Sequence, residues 1–202
     1  MEMTLTALTL SAAVFCATMT MTPGPNNLLL AQSGATFGIR QSVRHIVGIR
    51  LGTTSLHLAM LLGLGALFEG FPLLHQILKT VSLAYLLWLA FKIATAPTGG
   101  QSASGRNRPM GLMEAAMFQW INPKSWLAVM TLCSAFTLAG DQYWLSALVM
   151  VLVFNVVGLP ASFTWVVLGQ AIGRFLHTPG RQRTFNQLMA LALLLTLPMI
   201  LM

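Results

Sequence analysis

The chain interrupts two of its long apolar stretches with proline and asparagine, once in each half. The first interruption is PGPNN at residues 23–27 and the second is NPK at residues 122–124. Proline removes a backbone donor and disfavours helix in the residue before it. Inside a bilayer, a helix broken in this way is tolerated only where it is buried in protein or lines a cavity. The paired interruptions therefore predict two broken helices that meet at a polar site.

The composition predicts that lipid is the main solvent of this chain. Hydrophobic residues make up 56% of it and charged residues only 7%, whereas soluble domains carry roughly 25% charged residues. The net charge of +7 reflects scarce acids, and the bases are spread between apolar stretches, which argues against a nucleic-acid partner. The first apolar stretch lacks a basic leader and a cleavage site, so we do not expect a signal peptide. We expect an all-α integral membrane protein in contact with lipid, with residues 1–202 forming one transporter domain.

Six apolar regions approach or exceed the roughly 20 residues that cross a bilayer. They cover residues 4–36, 46–68, 74–95, 111–138, 143–176 and 185–202. The first and fourth regions contain the two interruptions, and we expect the fifth to be interrupted near Asn155 and Pro160. Residues 97–109 are rich in Gly and Ser and predict a flexible loop.

The basic residues predict the orientation. Nine of the eleven Lys and Arg residues lie in or beside the first, third and fifth connections between the apolar regions. Basic connections stay in the cytoplasm, so both termini should face the periplasm. Three spans per half would orient the halves oppositely. This predicts two inverted three-helix repeats, residues 1–96 and 110–202, joined by the loop 97–109.

The polar groups at the interruptions are the candidate substrate-binding site. A helix that restarts at Asn26, the expected N-cap, presents free N–H groups and a partial positive charge to a carboxylate. Lys124 lies about fourteen residues, or roughly 20 Å of helix, from the polar loop, so we expect it to face a partner or a wet cavity. The candidate residues are Pro23, Gly24, Pro25, Asn26, Asn27, Gln119, Asn122, Pro123 and Lys124.

Structural roles stay open for the same residues. The PGPNN segment could be a packing kink whose asparagines bond to their neighbours. Lys124 could instead extend to the cytoplasmic surface. Asn122 and Gln119 could join helices by hydrogen bonds rather than contact a substrate.

Other polar residues in the spans have weaker predicted roles. His57 and Glu114 are candidates for ion coupling, with a buried core histidine and a helix cap as the respective alternatives. Arg50 is interpreted as a topology marker that reaches the membrane interface. The Gly48–Gly52 spacing predicts close helix packing, either within the bundle or in a homodimer.

The absence of acids from the middle of the spans limits the substrate class. A site for a metal ion or a dication needs buried carboxylates, so no metal site and no cofactor is expected. Asn, Gln, Lys and backbone dipoles suit a small zwitterion instead. Its carboxylate would meet the Asn26 helix start and Lys124, and its ammonium would meet freed carbonyls or the ring of Trp120 or Trp126.

Two other functions have some support in the sequence. Cys16 and Cys133 fall in the same predicted half of the membrane and could form a thiol–disulfide relay, although neither has flanking bases or a CxxC context. A metal-ion or tellurite-type resistance transporter is the other alternative, which the missing carboxylates disfavour.

The residues around both interruptions also resemble a known family. Residues 21–27 (MTPGPNN), continuing to 38–40 (GIR), resemble the first-span signature of the lysine exporter (LysE/RhtB) family. Residues 118–124 (FQWINPK) resemble its fourth-span signature. Residues 79–92 resemble its third span, with Ser82 where the family usually shows glycine. This departure concerns local helix packing only.

Within the family, residues 88–98 (WLAFKIATAPT) are most similar to the cysteine/O-acetylserine exporters. The resemblance implies a six-span protein of the bacterial inner membrane. It also implies a secondary active exporter of small amino acids or their derivatives, not an enzyme, driven by an ion gradient.

Overall fold

The computed structural model describes residues 5–64, 72–98 and 108–198, and every regular element within these ranges is helical. The seven α-helices are α1 (Leu5–Met21), α2 (Pro25–Ala59), α3 (Pro72–Ala94), α4 (Leu112–Ile121), α5 (Pro123–Ala135), α6 (Tyr143–Gly173) and α7 (Pro179–Leu194). A π-helical turn (Met60–Leu64) extends α2, and a 3-10 turn (Gly140–Gln142) precedes α6. The predicted all-α class is confirmed. Most of the predicted loop 97–109 lies outside the described residues.

Both predicted helix interruptions are present. α1 ends at Met21 and α2 begins at Pro25, while α4 ends at Ile121 and α5 begins at Pro123. Each restarting helix carries proline at its first position, where the missing N–H has no intrahelical partner to lose and the fixed φ already suits a helix. The prolines therefore end one helix and begin the next.

The predicted connection between the first and second apolar regions is helical rather than open. α2 runs through it with one departure, at Gly38, whose φ of 77° is a conformation that favours glycine. The Ser42 hydroxyl donates to the Gly38 carbonyl at 2.8 Å, and the Ile39 N–H donates to Gln170 Oε1 at 3.0 Å. These bonds satisfy the backbone groups freed at the bend, so the chain joins the two regions by one bent helix.

The predicted interruption of the fifth region is wrong. α6 continues through Asn155 and Pro160 without leaving the helical conformation. The Asn155 amide donates to Thr54 Oγ1 and to the Val151 carbonyl, both at 2.9 Å. Packing of α6 along α1 and α2 overrides the local preference of a single proline. The sixth region also begins earlier than predicted, at Pro179.

The helices pack around a central pair formed by α2 and α6. α1 packs against α6, α4 and α5 pack against α2, and α3 packs against α7. By length and composition, two described stretches are apolar enough to cross a membrane, Pro25–Leu64 and Gly140–Gly173, and α1 is a shorter apolar helix. Large apolar side chains such as Leu62 and Val156 are exposed on these stretches.

Glycines allow the backbones of neighbouring helices to pack in direct contact. A Cβ built on Gly52 would lie 2.6 Å from Ala116 Cα on α4, and Gly48 faces the same helix. On α6, a Cβ built on Gly173 would lie 2.9 Å from Ala35 Cα on α2. The Gly48–Gly52 spacing is therefore used within the bundle, as one of its two predicted roles requires.

We expect Gly52→Ala to lower the free energy of unfolding by about 1–3 kcal/mol, because the added methyl group has no space against α4. Gly180→Ala is the matched control, since nothing lies within 4 Å of its Cβ position. The measurement is the melting temperature of the purified proteins in detergent. A Gly52→Ala protein that melts with the wild type would contradict this packing.

Candidate functional site

Lys124 reaches from the second interruption to the first. Its Nζ donates to the Thr22 carbonyl at 2.8 Å, to Thr22 Oγ1 at 2.8 Å and to the Pro23 carbonyl at 3.1 Å. These oxygens follow the end of α1, where carbonyls lack intrahelical partners and the helix dipole favours a cation. The two interruptions therefore meet, and the alternative in which Lys124 extends to the surface is wrong.

The local sequence explains how Lys124 is held in this position. The Asn122 side chain caps α5 by accepting a hydrogen bond from the Lys124 N–H at 3.2 Å, and Asn122 itself is buried. A Cβ built on Gly24 would lie 2.8 Å from Lys124 Cδ. Gly24 has an extended φ of 178°, so glycine is needed here for space and not for its conformation. Because Gly24 has no side chain, the Lys124 side chain has room to pass it and reach Thr22.

Asn26 forms a second link between the interruptions. It exchanges two hydrogen bonds with Gln119, from Asn26 Nδ2 at 2.8 Å and from Gln119 Nε2 at 3.1 Å. The Ser125 hydroxyl donates to Gln119 Oε1 at 2.8 Å. The prediction that Asn26 is the N-cap is wrong, because Gly24 is the N-cap of α2 and proline occupies the next position. Asn26 thus bonds across the halves instead of capping its own helix.

Asn27 satisfies the end of α1 rather than the start of α2. Its Nδ2 donates to the carbonyls of Thr20 at 2.8 Å and of Thr22 at 2.7 Å. The structure therefore contains the bonded asparagines that the sequence left as an alternative. Both asparagines also border the cavity described next.

One small cavity lies where the interruptions meet. Its volume is about 40 Å³, enough for a few water molecules. An amino acid would enter only if lining side chains moved. The polar side chains that line it are Thr20, Asn26, Asn27, Arg50, Thr53, Asn122, Lys124, Ser125 and Ser162. Among the other predicted residues, Gly24 borders the cavity, whereas Pro23, Pro25, Gln119 and Pro123 are not part of its lining.

Arg50 borders this cavity, which corrects its predicted role at the membrane interface. Its Nη1 donates to the Phe154 carbonyl at 3.3 Å, and its guanidinium carbon lies 5.6 Å from the centre of the Phe154 ring. Its Nε is buried and has no hydrogen-bond partner in the part of the chain that the structure describes. The sequence carried one signal of this burial, because Gly48 and Gly52 place Arg50 in a close-packed stretch.

A larger cavity of about 310 Å³ lies between α2, α3 and residues 108–110. Its polar lining includes Gln32, His45, Lys92 and Arg108. None of the predicted site residues borders it. The interruptions therefore define the smaller cavity and not this one.

Neither of the two candidates for ion coupling lines either cavity. Glu114 accepts a hydrogen bond from the Gly111 N–H at 2.7 Å and forms an ion pair with Arg108 at 2.7 Å, at the start of α4. It thus serves as the helix cap that the sequence left as an alternative. His57 is 1% exposed within α2. Neither side chain is brought to the interruptions.

The cysteines do not pair. Cys16 and Cys133 are free thiols, and Cys16 packs with Met150 and Phe154 whereas Cys133 packs with the cluster around Leu56. The thiol–disulfide relay therefore has no structural support.

Among the residues that the structure describes, no three His, Cys, Asp or Glu side chains group together as metal ligands.

Comparison with known proteins gives the family. The model of the LysE type translocator family matches residues 17–197. The cysteine/O-acetylserine efflux protein of Salmonella choleraesuis is 33% identical over 176 residues, covering 86% of this chain and 87% of the relative. Proteins of the same name from Salmonella typhi and Escherichia coli O6:K15:H31 are 32% identical over the same shares. No solved structure matches this chain significantly. The resemblance predicted from the two interruptions is confirmed, and the chain belongs to the LysE type translocator family.

Proposed function

We propose that this protein is a secondary active exporter of small zwitterionic amino acids, such as cysteine and O-acetylserine, in the bacterial inner membrane. Family membership and the relatives named as cysteine/O-acetylserine efflux proteins support export of this substrate class. The observation that carries the site is the contact of Lys124 with Thr22 and Pro23, because it joins both interruptions at one cavity.

Lys124, which lines the cavity, and the oxygens that hold it match the two poles of an amino acid. The Thr22 and Pro23 oxygens already bind an ammonium group, that of Lys124. A substrate ammonium offers the same three donors and would replace Lys124 there. The released Lys124 and the first-turn N–H groups of α2 would then face the substrate carboxylate. In this proposal Lys124 holds the empty site together and exchanges its partner when the substrate binds.

The bonds of Lys124 and Asn26 also link the two halves of the chain. Both cross from residues before the loop 97–109 to residues after it. Release of Lys124 by the substrate would therefore weaken the link between the halves. This provides a physical route by which binding permits one half to rock against the other and expose the cavity to each side in turn.

We propose the six-span inverted repeat, with halves 1–96 and 110–202 in one domain, as the architecture for this motion. The packing supports it through two corresponding sets of contacts. α1 packs on the first part of α6 through Cys16 and Met150, and the first part of α2 packs on the later part of α6. In the same order, α4 packs on α2 at Gly48 and Gly52, and α5 packs nearer the end of α2 through Trp126 and Leu56.

The topology is tested with alkaline phosphatase fusions, since this enzyme is active only in the periplasm. We expect a fusion after residue 202 to be active and a fusion inserted within 97–109 to be inactive, because the basic connections stay in the cytoplasm. The measurement is phosphatase activity relative to fusion expression. The opposite pattern would reverse the proposed orientation, and equal activity would contradict an odd number of spans after the loop.

The export function is tested by efflux from cells loaded with cysteine or O-acetylserine. We expect the wild type to raise the initial efflux rate and Lys124→Met to lower it about 10–100-fold, because hydrogen bonds to a charged group contribute about 1.5–3 kcal/mol. Arg174→Met is the matched control, as it removes an exposed cation outside the site.

The efflux result depends on equal membrane expression of the three proteins, which immunoblotting checks. Efflux by the wild type no faster than that of cells with an empty vector would reject export of these substrates. Wild-type efflux from Lys124→Met would instead remove Lys124 from the mechanism while leaving the function intact.

A further inference from the structure

We propose that Arg50 binds the carboxylate of the exported amino acid, an inference that rests on the proposed export function. Arg50 lies in α2, on a wall of the cavity that the helix interruptions do not form. The sequence had suggested only a role in topology for it. The contacts of its guanidinium group point to a ligand instead.

The hydrogen-bond donors of Arg50 are largely unused. A guanidinium has five N–H donors, and here one of them reaches the Phe154 carbonyl at 3.3 Å. The buried Nε has no partner, and Arg50 forms no ion pair within the described residues. Arg50 is half-buried, and a partly desolvated cation without a counter-ion is costly. Unused donors on a cation that borders a cavity therefore suit an anionic group supplied from outside the chain.

α6 is shaped to receive the Arg50 side chain. A Cβ built on Gly158 would collide with Arg50 Nη1 and lie 2.9 Å from its Cζ. One turn earlier, the face of the Phe154 ring supports the cation at 5.6 Å. These contacts fix the planar group in one orientation. A fixed guanidinium fork matches the two oxygens of a carboxylate better than a flexible ammonium does.

Lys124 is a weaker candidate for the first contact with the carboxylate. Its ammonium has three donors, and three oxygens of Thr22 and Pro23 accept bonds from it. Lys124 therefore becomes available only after another ammonium takes its place. Arg50 is available beforehand. Arg50 and Lys124 both border the cavity, and the Thr22 and Pro23 oxygens hold the Lys124 ammonium. A zwitterion whose ammonium displaces Lys124 from those oxygens would therefore direct its carboxylate toward Arg50.

The test compares equilibrium binding of cysteine and cysteine methyl ester, which lacks the carboxylate charge, to the purified protein in detergent with a reductant. We expect the wild type to bind cysteine at least about tenfold more tightly than the ester, because the ester leaves the Arg50 guanidinium without an anionic partner. Arg50→Gln should weaken cysteine binding at least about tenfold and leave ester binding within about twofold. Arg44→Gln removes an exposed cation from the same helix and is the matched control.

A second variant displaces the Arg50 guanidinium without replacing Arg50 itself. Gly158→Ala should displace the guanidinium and reproduce the selective loss of cysteine binding, whereas Gly180→Ala should not. The melting temperature of each variant shows whether it is folded, and Arg50→Lys replaces Arg50→Gln if the latter is not. Arg50→Lys keeps the charge but loses the fork, so we expect an intermediate preference for cysteine.

The outcomes separate this inference from the function on which it rests. A selective loss of cysteine binding in folded Arg50 and Gly158 variants supports the inference. If Arg50→Gln keeps the wild-type preference for cysteine, the inference is overturned while amino-acid export stands. An equal loss of cysteine and ester binding overturns the inference in the same way. A wild type that binds and exports neither cysteine nor O-acetylserine rejects the proposed function and this inference with it.

Discussion

The ammonium of Lys124 on the oxygens of Thr22 and Pro23 is the interaction on which the rest of the structure depends. Breaking a helix frees carbonyls that lack intrahelical partners, and in a membrane protein such groups must be buried in protein or face a wet cavity. Lys124 and Asn27 supply donors to those carbonyls, at distances of 2.7–3.1 Å. A lysine ammonium removed from water is itself costly unless it is paired. The first interruption therefore provides hydrogen-bond acceptors for the Lys124 ammonium, and Lys124 provides donors for the carbonyls of the first interruption. This contact holds the two halves together.

The same interaction connects stability with function. Oxygens that bind a lysine ammonium will also bind the ammonium of an amino acid, because the donor group is chemically alike. The contact that stabilises the empty protein is thus one that a substrate can replace. Arg50, held against Phe154 and Gly158 with donors unused, is the second charged group on the cavity. In such a site the substrate ammonium and Lys124 can exchange on the same oxygens, while the substrate carboxylate meets the fixed guanidinium of Arg50. This exchange allows release of the substrate as well as binding.

The sequence predicted the features that follow from strong local rules. Both helix interruptions, the helical class, the family and the inward position of Lys124 could be read from proline, asparagine and the depth of one charge. Contacts set by tertiary packing were missed. Asn26 bonds to Gln119 because the residue after Gly24 is proline, which shifts the helix start. Arg50 borders the cavity because α2 packs on α6 at Gly158, and which residues of two helices meet is not readable from the sequence.

Proximity of the interruptions is tested most directly by cross-linking in the membrane. Both native cysteines are replaced by alanine, Asn26→Cys and Gln119→Cys are introduced so that Lys124 stays in place, and a protease site is inserted within 97–109. After treatment with a short bifunctional thiol reagent and proteolysis, we expect the two fragments to stay joined on a denaturing gel, because the side chains of Asn26 and Gln119 contact each other at 2.8 Å. Asn26→Cys with Gly180→Cys should give separate fragments. Separate fragments from the Asn26–Gln119 pair, with both thiols accessible to labelling, would contradict the account.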